Sequence, residues 1–89
     1  MKQRSIVIMN PTGFHARPAR EFVDAAVERF PDTKVTVAKG EKRIDGKSMI
    51  RMLALSARYR ETVELSVEGG NEDEALEVLG NFFAAIHAE

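Results

Sequence analysis

Glu61-Thr62-Val63-Glu64-Leu65-Ser66-Val67-Glu68 alternates without a break: Val63, Leu65 and Val67 fall on one side, Thr62, Glu64, Ser66 and Glu68 on the other. Side chains along a strand point to opposite faces at a period of two, so this segment reads as a strand with one apolar face and one wet face. Strands of that kind build a sheet that helices cover on one side only, which favours antiparallel pairing. Gly69-Gly70 ends the strand. Asn71, followed three residues later by Glu74, is a helix start of the capping-box type. Ala75, Leu76, Val78, Leu79, Phe82, Phe83 and Ile86 then give the last helix a broad apolar face.

Upstream of the alternating strand, Ser48 precedes Met49, Ile50, Met52, Leu53 and Leu55, a short helix that is apolar over much of its circumference. Asp45-Gly46 and Gly40 mark turns on either side of a short strand from Glu41 to Ile44. Val35 and Val37, alternating with Lys34 and Thr36, form another strand. Before it, Ala19, Phe22, Val23, Ala26, Val27 and Phe30 recur at three and four residues, one buried stripe of a helix that Pro31-Asp32 stops. Ser5 to Met9 is a first strand, and Asn10-Pro11-Thr12-Gly13 is the loop after it. The order is βαββαβα, which predicts a two-layer α+β fold with a mostly antiparallel sheet and the helices on one face.

Eighty-nine residues make one domain, residues 1–89, with no room for a second core. Hydrophobic residues are 44% and charged residues 30%, an ordinary soluble balance. The net charge of -1 provides no global field to recruit nucleic acid or an acidic membrane. Without cysteine there is no disulfide and no thiol chemistry, and two distant histidines argue against a metal site. Met1-Lys2-Gln3-Arg4 leads into only five mostly apolar residues, too few for a signal peptide core, and no apolar run approaches a membrane span. These features predict a cytoplasmic protein, and a monomer is the default expectation.

The chemistry concentrates in Thr12-Gly13-Phe14-His15-Ala16-Arg17-Pro18-Ala19. With His15 as N-cap, Ala16, Arg17 and Pro18 are the first three helical residues, and proline there costs the helix nothing. The N–H groups of Ala16 and Arg17 have no intrahelical acceptor, so an anion on His15 would find donors and a positive dipole end. Arg17 and Arg20 have the wrong sign for that dipole, a penalty of roughly a few tenths of a kcal/mol each, which suits a site built for an incoming anion. No neighbouring carboxylate, serine or cysteine completes a hydrolytic set around His15. A carrier fits these residues better than an enzyme, although a histidine beside an arginine is also a common solvated surface pair.

The run Gly13-Phe14-His15-Ala16-Arg17-Pro18-Ala19 resembles the active-site motif of the HPr family, the histidine phosphocarriers of the phosphoenolpyruvate-dependent phosphotransferase system. Lys47-Ser48-Met49-Ile50 resembles that family's second motif, around a regulatory serine, and the similarity covers nearly the whole chain. The resemblance implies an open-faced β-sandwich of four antiparallel strands with three helices on one face. It further implies that enzyme I phosphorylates His15 at Nδ1 and that the carrier passes the group to a IIA domain of a sugar-transport or nitrogen-related branch. Thr12, Ala16, Arg17 and Pro18 would cradle the phosphoryl group, with no cofactor. Ser48 would be a target for a dedicated kinase, although its place as a helix N-cap accounts for it equally.

Phe14, Arg20, Met49, Ile50, Arg51 and Met52 are the expected docking residues, because an exposed apolar patch beside a reactive group marks a transient protein interface. Within the short helix, Leu53 and one of Met49 or Met52 are expected in the core, and Met49 or Ile50 outside it. The sequence departs from the family pattern at Ser56 and Arg60, where family members often carry glycine, at the larger Phe14, and by two extra residues around Phe30-Pro31-Asp32. Two other readings stand beside the carrier. One is an HPr-like regulator that binds a transcription factor or kinase. The other is a non-catalytic, ferredoxin-like sensing domain in which His15 is only a cap. The motif from Gly13 to Ala19 separates them in favour of the carrier. His87 is assigned no role.

Overall fold

The computed structural model describes residues 1–85. The chain runs β1 (Lys2–Val7), α1 (Ala16–Arg29), β2 (Lys34–Lys39), β3 (Lys42–Asp45), α2 (Met49–Leu55), β4 (Thr62–Glu68) and α3 (Glu72–Ala84), the element order read from the sequence. The sheet order is β1-β4-β2-β3, and every pairing is antiparallel. The alternating segment is a central strand: Val63, Leu65 and Val67 are fully buried beneath the helices, opposite Ile6, Val37 and Val35 in the register. Ser66, on the open face, is also buried, because residues of β1 and β2 flank it on both sides. β1 begins three residues earlier than its apolar run, since pairing of Lys2, Gln3 and Arg4 with Val67, Ser66 and Leu65 makes those polar residues a strand.

One contiguous core lies between sheet and helices, centred on Phe22, Phe83, Ile8, Met52, Leu55 and Leu79. α1 buries Ala19, Phe22, Val23 and Ala26, while Val27, expected in the same stripe, stands half exposed at its margin. α2 corrects two expectations. It docks along the line of Met52 and Leu55, three residues apart, so Met52 is in the core and offers no docking surface. That rotation turns Leu53 outward, contrary to the core position expected of it, and leaves Ile50 81% exposed. α3 buries Ala75, Leu79, Gly80 and Phe83. The expected apolar contribution of Ile86, and His87, lie outside the described residues. Among the described residues no helix is long and apolar enough to cross a membrane.

Candidate functional site at the start of α1

The segment that delivers His15 is fixed before the helix begins. The Gly13 N–H donates to the Asn10 carbonyl at 2.8 Å, closing a turn in which Pro11 presets the backbone. Asn10 is almost fully buried, and its Nδ2 donates to Thr12 Oγ1 at 2.9 Å and to the Gly13 carbonyl at 2.8 Å. Gly13 has φ +78°, and a Cβ there would sit 2.9 Å from the Ala57 carbonyl oxygen. Both facts require glycine, the first by backbone sterics and the second by close approach. The Phe14 N–H donates to that same Ala57 carbonyl at 2.8 Å.

Phe14, expected as an exposed docking residue, is instead part of the core. Its ring lies 4.5 Å from that of Phe83 and meets Phe22 edge-on at 6.1 Å. An aromatic side chain there buries its apolar area against two other phenylalanines. Phe14 therefore anchors the residue that follows it rather than facing a partner.

His15 is the N-cap of α1, with extended φ -84° and ψ -170°, and its carbonyl accepts the first helical bond from Ala19 N at 3.0 Å. Its ring does not close the cap with a hydrogen bond. His15 is half-buried, with Nε2 buried. Ala16 and Arg17 present the first two helical N–H groups, Pro18 is buried, and no acidic residue occupies the first turn. Arg17 is exposed. Arg20 is exposed too and pairs weakly with Asp24, 3.7 Å away and one turn on. An electropositive helix end, a half-exposed imidazole and an exposed arginine two residues on can accept and hold an anionic group.

Behind this segment lies residues 56–61, which sequence reading did not connect to the site. Lys39 Nζ donates to the Ser56 carbonyl at 2.8 Å and to Glu61 Oε1 at 3.2 Å. The Arg58 N–H donates to Glu61 Oε1 at 2.7 Å, and that bond first, with Lys39 second, holds the Glu61 carboxyl below the usual carboxylate range. Among the described residues, Ser56 and Arg60 are the non-glycine residues at positive φ, 53° and 69°. Ser48 caps α2 by accepting from Arg51 N at 3.4 Å. Around it, Met49 is half-buried, and Ile50 and Arg51 are exposed on a helix that packs against α1.

A family model described as "PTS HPr component phosphorylation site" matches residues 2–85. The chain is 34% identical over 89 residues to the phosphocarrier protein HPr of Neisseria meningitidis serogroup A, covering 100% of this chain and 98% of that protein. It is 38% identical over 88 residues to the HPr of Pseudomonas putida, covering 93% of this chain and 96% of its relative. The crystal structure of HPr-C-His from Thermoanaerobacter tengcongensis superposes with a TM-score of 0.85 at 37% identity, over 93% of this chain and 91% of that one. With sequence, fold and full-length coverage in agreement, the chain belongs to the HPr family of the phosphotransferase system.

Proposed function

We propose that the chain carries a phosphoryl group on Nδ1 of His15, taken from phosphorylated enzyme I and handed to a histidine of a IIA domain. In each transfer one N–P bond breaks as another forms, so the protein is a relay and does not hydrolyse the group. Such transfer depends on positioning and charge neutralisation, which the N–H groups of Ala16 and Arg17, the Arg17 guanidinium and the helix dipole supply. Thr12 stands on the same loop as a further donor. Arg20, Met49, Ile50 and Arg51 are the exposed residues we assign to docking, and a cytoplasmic, monomeric protein is the form this relay requires.

The observation that supports the proposal is the position of His15 as N-cap of α1, half-exposed and with Nε2 buried, two residues before the exposed Arg17. Mixing the protein with enzyme I and labelled phosphoenolpyruvate tests it. Acid-labile label is expected on the native chain and absent from His15→Ala. Arg17→Ala should fold normally and transfer at least about tenfold more slowly, since it loses a hydrogen bond to a charged group. Native protein that takes no label from several active enzymes I would favour the sensing-domain reading.

A further inference from the structure

We propose that Asn10 is a positioning residue for the transfer: its side-chain amide orients the Thr12 hydroxyl to donate toward the group held by His15. The inference rests on the phosphocarrier reading above. An Asn amide nitrogen can only donate, and the Gly13 carbonyl that Nδ2 meets at 2.8 Å can only accept, so the orientation of the amide is settled by chemistry. The second N–H of the same nitrogen is directed at Thr12 Oγ1, 2.9 Å away. A hydroxyl that accepts on one side turns its own proton away from that donor. Asn10 is 2% exposed, so the amide cannot swing out to water without giving up its bonds to the Gly13 carbonyl and Thr12 Oγ1. Thr12 itself is exposed, on the solvent side of the loop that leads into His15. The transferring group spreads negative charge over its outer oxygens, and a donor aimed before the group arrives costs no reorganisation at the moment of transfer.

Asn10→Asp keeps the shape but presents an acceptor where Thr12 and the Gly13 carbonyl need a donor. With phosphorylated enzyme I as the donor, its maximal rate of acceptance should fall at least about tenfold at unchanged KM, with the amide NMR spectrum outside the loop preserved. Thr12→Val should lose as much, Thr12→Ser should restore the native rate, and Asn10→Asp should add no further slowing in the Thr12→Val background. A folded Asn10→Asp at the native rate overturns the proposal, as do additive losses in the double variant. If Asn10→Asp does not fold, the Thr12 pair decides: loss in Val with recovery in Ser supports it, and a native rate in Val overturns it. Native protein that accepts nothing on His15 removes the carrier reading and this inference with it, whereas native acceptance with indifferent variants removes this inference alone.

Discussion

Ser56 shows how much one backbone angle can cost. It ends α2 in the left-handed conformation, φ 53° and ψ 48°, with its N–H on the Leu53 carbonyl. For a residue with a Cβ that conformation costs roughly 1–2 kcal/mol, and the position after a helix is where glycine relieves it. Arg60, at φ 69°, has the same strain, but its guanidinium stacks on the Tyr59 ring at 5.2 Å and recovers part of it. Both are positions where the sequence departs from the family's usual glycine, so the deviation was visible while its geometric cost was not. Ser56→Gly should therefore raise the unfolding free energy by about 0.5–1 kcal/mol, after the extra entropy of an unfolded glycine is allowed for. Arg60→Gly should gain less. Urea denaturation of both variants measures this, and a destabilised Ser56→Gly would mean that the serine side chain holds the loop in a way its backbone angle does not reveal.

Among the elements, the start of α3 couples charge to stability. Asn71 Oδ1 accepts from Glu74 N at 3.3 Å, and Glu72 Oε2 accepts from Gly69 N at 2.8 Å. The Gly69 bond first, and the chain's N-terminal ammonium after it, hold the Glu72 carboxyl below its ordinary 4.5. Glu61 is lowered in the same sense by Arg58 N–H and Lys39. A carboxyl whose folded pKa is depressed contributes stability above its unfolded pKa, and loses it as pH falls through the folded value. Lys2, raised above 10.5 by its hydrogen bond to Asp73, contributes below that value and loses its contribution as pH rises through the folded pKa. Stability should thus be flat near neutrality and fall from about pH 4.5 downward. Glu61→Gln and Glu72→Gln should each lessen that acid slope in pH-dependent thermal unfolding, and added salt should shrink the difference because these half-exposed groups lie at the surface. An unchanged slope in both would show that other carboxyls set it.

The elements were legible where one physical signal governed them. Strict alternation gave β4, the three-and-four spacing gave α1 and α3, and the capping residues His15, Ser48 and Asn71 gave the helix starts. The apolar pattern starts β1 three residues late, because the first half of that strand is strand by pairing alone. Leu53 faces out because a helix of seven residues buries whichever line its neighbours meet, and apolarity on all sides cannot name that line. The brace from Lys39 to Ser56 and Glu61 joins residues 17 and 22 positions apart, a separation at which sequence spacing carries no signal.

Across the whole molecule, stability and the docking proposed above fall on different aromatic and aliphatic groups. The core reaches up to the reactive loop through Phe14, whose ring closes a cluster with Phe22 and Phe83, so the residue before His15 is held by the interior. Ile50, 81% exposed on α2, contributes little to that interior. Phe14→Leu, which removes part of a buried ring, should cost about 1–3 kcal/mol, a large share of the roughly 5–15 kcal/mol available to a domain of ordinary stability. It should still accept a phosphoryl group with a native KM for enzyme I, because none of the residues proposed for docking changes. Ile50→Glu should do the opposite, leaving unfolding within about 0.5 kcal/mol of native while raising KM, since it puts a charge into the apolar contact proposed for that face. Thermal unfolding and transfer kinetics on the two variants together test the division. A Phe14→Leu that raises KM at native stability would return the ring to the docking surface, and an Ile50→Glu with native KM would take the exposed face of α2 out of it.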